Sequence, residues 1–183
     1  MRVIAGTARG RRLKSPGLRS GAIRPTSDLM RGAIFDSLAS LGVDLSQVLD
    51  LYAGSGALGI EALSRGAGHC DFVERDRAAC AVIKENLELT GFASIAKVHC
   101  VPVAGAESRL QGPYTLVLAD PPYADEGARE AIESLVAGRL LHPEAIIVLE
   151  HSARSEPAGE LATLPLERVR RHGDSAVSIY ARR

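Results

Sequence analysis

The feature that most restricts the fold is a glycine-rich stretch between a short apolar segment and a helical pattern. The apolar segment covers residues 48–52, and Gly54, Gly56 and Gly59 follow it in the spacing Gly-x-Gly-x-x-Gly. Residues 58–65 then form a predicted helix. Between a strand and a helix, glycines permit a sharp turn and let a ligand approach the bare backbone. The stretch therefore predicts a nucleotide-like cofactor site at the end of a strand.

The rest of the chain repeats this alternation of strands and helices. The helical stripe of Met30, Ile34, Leu38 and Leu41 precedes the first strand, and a further predicted helix covers residues 76–90. Further strands are predicted at 69–73, 97–101, 114–119 and 145–149, with a late antiparallel strand at 175–181. Apolar strands that alternate with helices are typical of a mostly parallel sheet covered on both faces. We therefore expect a doubly wound α/β fold, in which ligands bind beyond the carboxyl ends of the strands.

Charge is distributed unevenly along a chain of zero net charge. Residues 1–31 carry eight basic side chains against one acidic side chain, residues 167–183 carry five against two, and the middle has a net charge of −10. Because Arg binds phosphate in a bidentate manner and stacks on bases, the Arg-rich arm favours a nucleic-acid partner, although a solvated tail remains the alternative. The candidate RNA-binding residues are Arg9, Arg11, Arg12, Lys14, Arg24, Thr26 and Arg31.

Several classes of protein are disfavoured by composition. No stretch approaches the ~18 to 20 apolar residues of a membrane helix, and the N-terminus lacks the apolar core of a signal peptide. The three cysteines show no Cys-x-x-Cys spacing and do not cluster with the five histidines, so neither a disulfide framework nor a metal site is indicated. We expect a cytoplasmic protein without metal or membrane contact. His151 and His172 are assigned no role.

Two acidic residues accompany the glycine loop. Glu74 follows the second predicted strand, twenty residues after Gly54, where a ribose-binding carboxylate belongs in nucleotide-binding folds, including those for NAD. Asp50 lies near the tip of the first strand, four residues before Gly54, and there it suits the cationic amino-acid part of S-adenosylmethionine better than a pyrophosphate. We expect these residues to bind the cofactor together with Tyr52, Gly54, Ser55, Gly56 and Arg75. An NAD-dependent oxidoreductase remains the alternative.

The tetrapeptide Asp120-Pro121-Pro122-Tyr123 follows the predicted strand 114–119. Two prolines fix the backbone and remove two donors, which leaves a rigid turn rich in acceptors. Such a turn suits an exocyclic amino group, and Tyr123 would stack on the target base. A base can reach this turn only when it is flipped or lies in a loop. All four residues are therefore candidate catalytic residues.

With these motifs the chain resembles class I S-adenosylmethionine-dependent methyltransferases, and more closely the RsmD family. The resemblance rests on the Arg-rich opening with Arg-Pro-Thr at 24–26, the stretch 49–67, Phe72-Val73-Glu74 and the segment 118–123. It implies a Rossmann-like seven-stranded sheet with one late antiparallel strand, an N-terminal RNA-binding arm or hairpin at 1–25, and a methyltransferase domain at 26–183. It also implies methylation of the exocyclic N2 of a guanine in 16S ribosomal RNA, in the small subunit or its assembly intermediate, by a monomer.

One position departs from methyltransferases of this kind. They often carry an acidic residue after the third strand for the adenine amino group, whereas residues 101–106 here contain none. We expect Val103 and Ala104 to hold the adenine through backbone groups and apolar packing.

Alternative functions remain open from the residues alone. The methyl group could be transferred to an adenine N6 or to a protein glutamine amide, and a non-catalytic RNA-binding protein is a further alternative.

Overall fold

A computed structural model describes residues 1–16, 28–122, 125 and 127–181. Tyr123, Arg24 and Thr26 therefore lie outside the described residues. In the described part, one eight-stranded sheet has the order β3-β2-β1-β4-β5-β8-β7-β6. The strands are β1 (Gln47–Leu51), β2 (His69–Glu74), β3 (Ala96–Cys100), β4 (Tyr114–Ala119), β5 (Leu141–Ser152), β6 (Glu160–Leu161), β7 (Leu164–His172) and β8 (Ser175–Ala181). The helices are α1 (Asp28–Ser40), α2 (Ala57–Ser64), α3 (Arg77–Thr90) and α4 (Ala128–Val136).

The first five strands are parallel, and among these five the chain order along the sheet reverses once. It runs outward from β1 through β2 to β3, then returns to pair β4 with the free edge of β1. β5 continues outward beside β4. In an open α/β sheet the ligand crevice lies at such a reversal, beyond the carboxyl ends of the strands. The glycine loop follows β1 and the Asp-Pro-Pro turn follows β4, so the topology brings the two predicted motifs together.

The expected fold class is confirmed, and the sheet differs from the expectation at one edge. The described sheet has eight strands, where the resemblance implies seven. β6 and β7 are the two strands that the sequence pattern does not place, and they lie beyond the late strand β8. β8 runs antiparallel to β5, as expected, and also pairs antiparallel with β7. The sequence of β7 is rich in Arg and lacks a continuous apolar run. β6 pairs only with Leu164 and Pro165, so the rest of β7 forms the edge of the described sheet. Strand edges often carry charged side chains, which discourage pairing with other chains.

Both faces of the sheet are covered by apolar side chains. α1 buries Met30, Ile34, Phe35 and Leu38, which join α2 and α3 in a core cluster on one face. On the other face, α4 packs Ile132, Leu135 and Val136 against the strands. No helix among the described residues is long and apolar enough to cross a membrane.

Residues 1–13 form a compact antiparallel turn on the surface of this core. Arg2 and Arg12 form an isolated bridge, and the Val3 N–H donates to the Arg11 carbonyl at 3.0 Å. Val3 and Leu13 are buried in the core cluster of α1 and α2. The described part of the arm is therefore an integral part of the fold.

Candidate active site

The glycine loop follows the sequence pattern closely. Gly54 and Gly56 have φ angles of 55° and 78°, in the left-handed region that favours glycine. Gly59 is required for another reason, since a Cβ there would lie 2.4 Å from the Phe72 ring of β2. The first two glycines thus shape the turn, and the third lets α2 pack closely on the sheet.

Asp50 holds this loop from the interior of the protein. Its carboxylate is 1% exposed, and Oδ2 accepts a hydrogen bond from the Gly59 N–H at 2.8 Å. Burial raises the pKa of Asp50 well above its usual value, the Gly59 hydrogen bond lowers it, and the nearby charges of Asp120 and Glu74 raise it further. Asp50 therefore positions the loop through the first turn of α2, and its direct contact with a cofactor stays a prediction.

Glu74 lies at the carboxyl end of β2, beside the loop. Its Oε2 accepts from the Gly54 N–H at 2.9 Å and its Oε1 accepts from the Asp76 N–H at 2.8 Å. The side chain is half-buried. A carboxylate has about four lone-pair positions, so two hydrogen bonds leave acceptor capacity on both oxygens. Glu74 is therefore held in place and still able to bind a pair of hydroxyl groups.

Tyr52 joins the two motifs at the end of β1. Its φ of 56° lies in the left-handed region, which is rare for a residue with a side chain and is often found at functional sites. Burial raises the pKa of Tyr52 to about 12, with a smaller increase from the charge of Asp125 and a decrease from Arg75. Tyr52 thus lies within reach of charges from both Arg75, which follows β2, and Asp125, which follows β4.

The two residues expected to hold an adenine differ in exposure. Val103 is buried in the core cluster that includes Leu49, Val73 and Val117, whereas Ala104 is exposed. The side chain of Val103 therefore supports the floor of this region, and a ligand could contact the backbone at these positions. Arg75, just beyond Glu74, is exposed.

The Asp-Pro-Pro turn begins where β4 ends, directly beside the end of β1. The Asp120 N–H donates to the Leu51 carbonyl at 3.4 Å, and the charge of Asp120 raises the pKa of Asp50. Asp120, Pro121 and Pro122 are each partly exposed. The structure thus brings this acceptor-rich turn to the glycine loop, as the sequence predicts, while Tyr123 lies outside the described residues.

A cleft of about 240 Å³ opens beside this turn. Its walls include Pro121, Pro122, Leu149, Glu150, His151, Ser152 and Tyr180. His151 is fixed by two contacts, from Nδ1 to the Ser152 carbonyl at 2.9 Å and from Nε2 to Ser178 Oγ at 2.8 Å. A carbonyl only accepts, so Nδ1 carries a proton. His151 has no role assigned from the sequence, and its position at the carboxyl end of the parallel strand β5 is the sequence signal that points to this cleft.

The predicted RNA-binding residues separate into two groups. Arg9, Arg11, Arg12 and Lys14 are exposed on the arm. Arg31 is fully buried in α1, where Nη2 donates to the Arg2 carbonyl at 2.6 Å and to Asp28 Oδ1 at 2.8 Å. The prediction that Arg31 binds RNA is therefore wrong, because its guanidinium group is enclosed by the arm, α1 and α2. Arg24 and Thr26 lie outside the described residues.

The cysteines and other metal-ligating side chains give no further site in the described part of the chain. Cys70 and Cys80 are buried, Cys100 is exposed, and all three are free thiols. No group of three or more His, Cys, Asp or Glu side chains among the described residues could hold a metal ion.

Comparisons with known proteins agree with this geometry. Residues 1–181 match a family model described as "Conserved hypothetical protein 95". The chain is 36% identical to "Ribosomal RNA small subunit methyltransferase D" of Escherichia coli (strain K12), over 100% of this chain and 90% of that protein. It is 34% identical to "Putative rRNA methyltransferase YlbH" of Bacillus subtilis (strain 168), over 100% of both chains.

A solved structure gives the same result for the fold. The "Putative methyltransferase yhhF from Escherichia coli" superposes with a TM-score of 0.82 at 36% identity, over 100% of this chain and 97% of that one. The glycine loop, the Asp-Pro-Pro turn and these full-length matches lead to one conclusion: the chain belongs to the RsmD family of small-subunit ribosomal RNA methyltransferases.

Proposed function

We propose that this protein transfers a methyl group from S-adenosylmethionine to the exocyclic N2 of a specific guanine in 16S ribosomal RNA, within the small subunit or its assembly intermediate. The observation that carries the proposal is the contact between the ends of β1 and β4, where the Asp120 N–H donates to the Leu51 carbonyl at 3.4 Å. This contact joins a nucleotide-binding loop to a turn suited to an amino group.

The residues of the loop fit this cofactor. A Cβ at Gly54 would meet only the Tyr52 carbonyl, at 4.0 Å, so the backbone there is open to a ligand. Glu74 supplies acceptors for the two ribose hydroxyl groups, and the loop around Ser55 and Gly56 would hold the methionine part. The acidic groups of the crevice favour a ligand with an ammonium and a sulfonium charge. When bound, S-adenosylmethionine supplies an electrophilic methyl group.

The Asp-Pro-Pro turn would prepare the acceptor amine. The lone pair of an exocyclic nitrogen is delocalised into the base, which makes the nitrogen a poor nucleophile. If the Asp120 carboxylate and a neighbouring backbone carbonyl accept hydrogen bonds from both amine protons, the pyramidal form with a localised lone pair is favoured. After the new C–N bond has formed, one amine proton must leave, and Asp120 is the nearest candidate to accept it, with water as the other acceptor.

The cleft beside the turn would receive the target base. Pro121, Pro122 and Leu149 supply apolar walls, and its volume of about 240 Å³ is suited to one flipped base. Tyr123 would stack on that base, as proposed from the sequence. The exposed cations of the arm, Arg9, Arg11, Arg12 and Lys14, would bind phosphates together with Arg24 and Thr26. We propose that the enzyme acts as a monomer in the cytoplasm, without metal or membrane contact.

The direct test is transfer of a labelled methyl group from S-adenosylmethionine to three substrates: free 16S RNA, immature small subunits and mature small subunits. The modified nucleotide is then mapped. Label on a guanine N2 supports the proposal, and an inactive Asp120→Ala variant that still binds S-adenosylhomocysteine would assign the reaction to this turn. Label on an adenine N6, or transfer to a protein glutamine alone, would contradict it.

A further inference from the structure

Asn86 is a fully buried amide in α3 that makes three hydrogen bonds to other parts of the chain. Its Nδ2 donates to the Ser55 carbonyl at 2.9 Å and to the Lys14 carbonyl at 3.0 Å, and its Oδ1 accepts from the Lys14 N–H at 2.8 Å. Both amide protons are therefore used. A buried amide with all its donors satisfied fixes the position of every group that it contacts.

The two segments that Asn86 joins have different proposed tasks. Ser55 belongs to the glycine loop, and Lys14 is the last cation of the described part of the arm. A second contact between them, from Ser55 Oγ to Met1 Sδ at 3.9 Å, connects the loop to the start of the arm. Elsewhere the arm contacts α2, where the Thr7 N–H donates to the Ser64 carbonyl at 2.8 Å. Asn86 is thus a point where the arm meets the cofactor loop itself.

We propose that Asn86 is a positioning residue that couples RNA binding by the arm to cofactor binding by the glycine loop. The inference rests on the proposed function, since it takes the arm to bind RNA and the loop to bind S-adenosylmethionine. Asn86 touches neither ligand. It holds the Lys14 backbone and the Ser55 carbonyl in one fixed relationship.

The physical basis is that the arm and the glycine loop lose conformational freedom together. RNA phosphates bound by the arm restrain its backbone, and Asn86 transmits that restraint to the Ser55 carbonyl, so the loop loses less conformational freedom when the cofactor binds. Such coupling is reciprocal: the factor by which RNA tightens cofactor binding equals the factor by which the cofactor tightens RNA binding. We therefore expect both affinities to rise by at least about fivefold in the ternary complex.

The test measures that factor in the full-length protein. Affinity for small ribosomal subunits that lack the methyl group is determined by filter binding, with and without saturating S-adenosylhomocysteine. The wild-type protein should bind the subunits at least about fivefold more tightly with S-adenosylhomocysteine. Asn86→Ala, which removes all three hydrogen bonds, should reduce this ratio to less than twofold.

Two further variants distinguish a loss of coupling between the two sites from a general loss of structure. Asn86→Asp keeps an acceptor for the Lys14 N–H but removes both donors, so it should also lose the coupling. Glu85→Gln is the matched control, because it removes only the exposed ion pair between Lys14 Nζ and Glu85 Oε2, 2.8 Å apart. It should retain the wild-type ratio. All proteins are compared below the onset of thermal unfolding, and a structural defect alone would weaken both affinities without changing their ratio.

A measurement on the wild-type protein alone provides a second test. Amide hydrogen exchange at Lys14 should slow when S-adenosylhomocysteine binds. Exchange at the Ala137 amide, which donates to the Glu133 carbonyl at 2.9 Å at the end of α4, should not change. A wild-type ratio near one, a normal ratio in both Asn86 variants, or unchanged exchange at Lys14 would overturn the inference. If the wild-type protein binds no subunits but Lys14 is protected by the cofactor, the proposed function fails and the link through Asn86 stands.

Discussion

The buried guanidinium group of Arg31 lies beside the buried carboxylate of Glu61, with Nε 3.8 Å from Oε2. The same carboxylate accepts hydrogen bonds from the N–H groups of Ile4 and Ala5, at 2.8 Å and 3.0 Å. Arg65 adds a second cation, with Nε 2.8 Å from Oε1. One charge on α2 therefore fixes both α1 and the N-terminal arm to the body of the enzyme.

Replacing Glu61 with Gln should destabilise the protein strongly. The variant keeps the size of the side chain but removes the buried negative charge beside Arg31 and Arg65, so that among the described residues Arg31 keeps the partly exposed Asp28 as its acidic partner. Breaking a buried ion pair in this way costs about 3 to 5 kcal/mol. Chemical denaturation measures the change in the free energy of unfolding. Glu85→Gln removes an exposed ion pair and should cost less than about 1 kcal/mol. Equal effects of the two substitutions would show that Glu61 does not anchor the arm.

The exposed cations of the arm should govern the salt dependence of RNA binding. Each phosphate contact contributes about 0.7 to 0.9 to the slope of log affinity against log salt concentration. The triple variant Arg9→Ala, Arg11→Ala, Arg12→Ala should therefore lower that slope by about 2 to 3. Lys97→Ala, an exposed change in β3, is the control. An unchanged slope in the triple variant would exclude these side chains from phosphate contact.

Point substitutions are needed for this experiment because the arm cannot be removed cleanly. Val3, Ala8 and Leu13 are buried in the core cluster of α1 and α2. Deleting residues 1–20 would expose that cluster and also leave the buried carboxylate of Glu61 without the N–H groups of Ile4 and Ala5. A loss of RNA binding in the truncated protein could then reflect unfolding.

Local sequence patterns predicted the centre of the sheet well. The strands at 114–119 and 175–181 occur with those bounds, and the helix expected at 76–90 is α3, capped by Asp76, whose side chain accepts from the Ala79 N–H. These elements carry strong local signals, since a buried strand is apolar throughout and a capped amphipathic helix has a 3.6-residue period. The two motifs that form the crevice follow such strands directly.

Features that depend on distant residues were not predictable in this way. In the sequence, Arg31 is one of several cations in a basic arm. Its burial depends on an ion pair with Glu61, which lies thirty positions later. The sequence of β7 resembles a basic tail because the part of this strand beyond β6 lies at the sheet edge and is mostly not buried. In the sequence, Asn86 is an ordinary polar residue of a helix, and its role depends on contacts with Ser55 and Lys14 that only the fold creates. In each case the deciding contact is long-range in sequence.

Replacing Asp120 with Asn should impair catalysis with little effect on cofactor affinity. The amide has the size of the carboxylate but lacks its charge, and loss of one such stabilising group typically lowers kcat by about 10² to 10³. The dissociation constant of S-adenosylhomocysteine should change by less than about threefold, which is under about 0.7 kcal/mol. Glu144→Gln, an exposed change in β5 outside the cleft, should leave kcat unchanged. Full activity of Asp120→Asn would remove this residue from the mechanism.

Replacing Glu74 with Gln should weaken cofactor binding. An amide offers one oxygen in place of two, so it cannot accept from the N–H groups of Gly54 and Asp76 and also from two ribose hydroxyls. We expect S-adenosylhomocysteine to bind at least about tenfold more weakly, a loss of about 1.4 kcal/mol. Isothermal titration calorimetry measures this, with Glu88→Gln on the exposed face of α3 as the control. Wild-type affinity in Glu74→Gln would place the ribose elsewhere.

A buried polar cluster opposite the active-site edge should make stability depend on acidity. The Asp71 carboxylate lies 2.6 Å from His99 Nε2, 2.7 Å from the Tyr114 hydroxyl and 3.4 Å from His69 Nε2. Burial alone would raise the pKa of Asp71, but hydrogen bonds from His99 and Tyr114 and the charges of both histidines outweigh it, so the pKa is lowered. The folded protein therefore binds this proton less readily than the unfolded chain.

The sign of the pH dependence follows from that difference. Stabilisation by Asp71 is fully present above the unfolded pKa of about 3.9 and is lost as the pH falls through the lower folded value. Asp71→Asn should cost about 1 to 3 kcal/mol at pH 7, because the hydroxyl of Tyr114 and the ring of His99 lose a charged acceptor. Urea denaturation at several pH values should show the gap between wild type and variant closing below about pH 4. With Asp36→Asn, an exposed change, as the control, a gap independent of pH would show that Asp71 is not ionised in the folded protein.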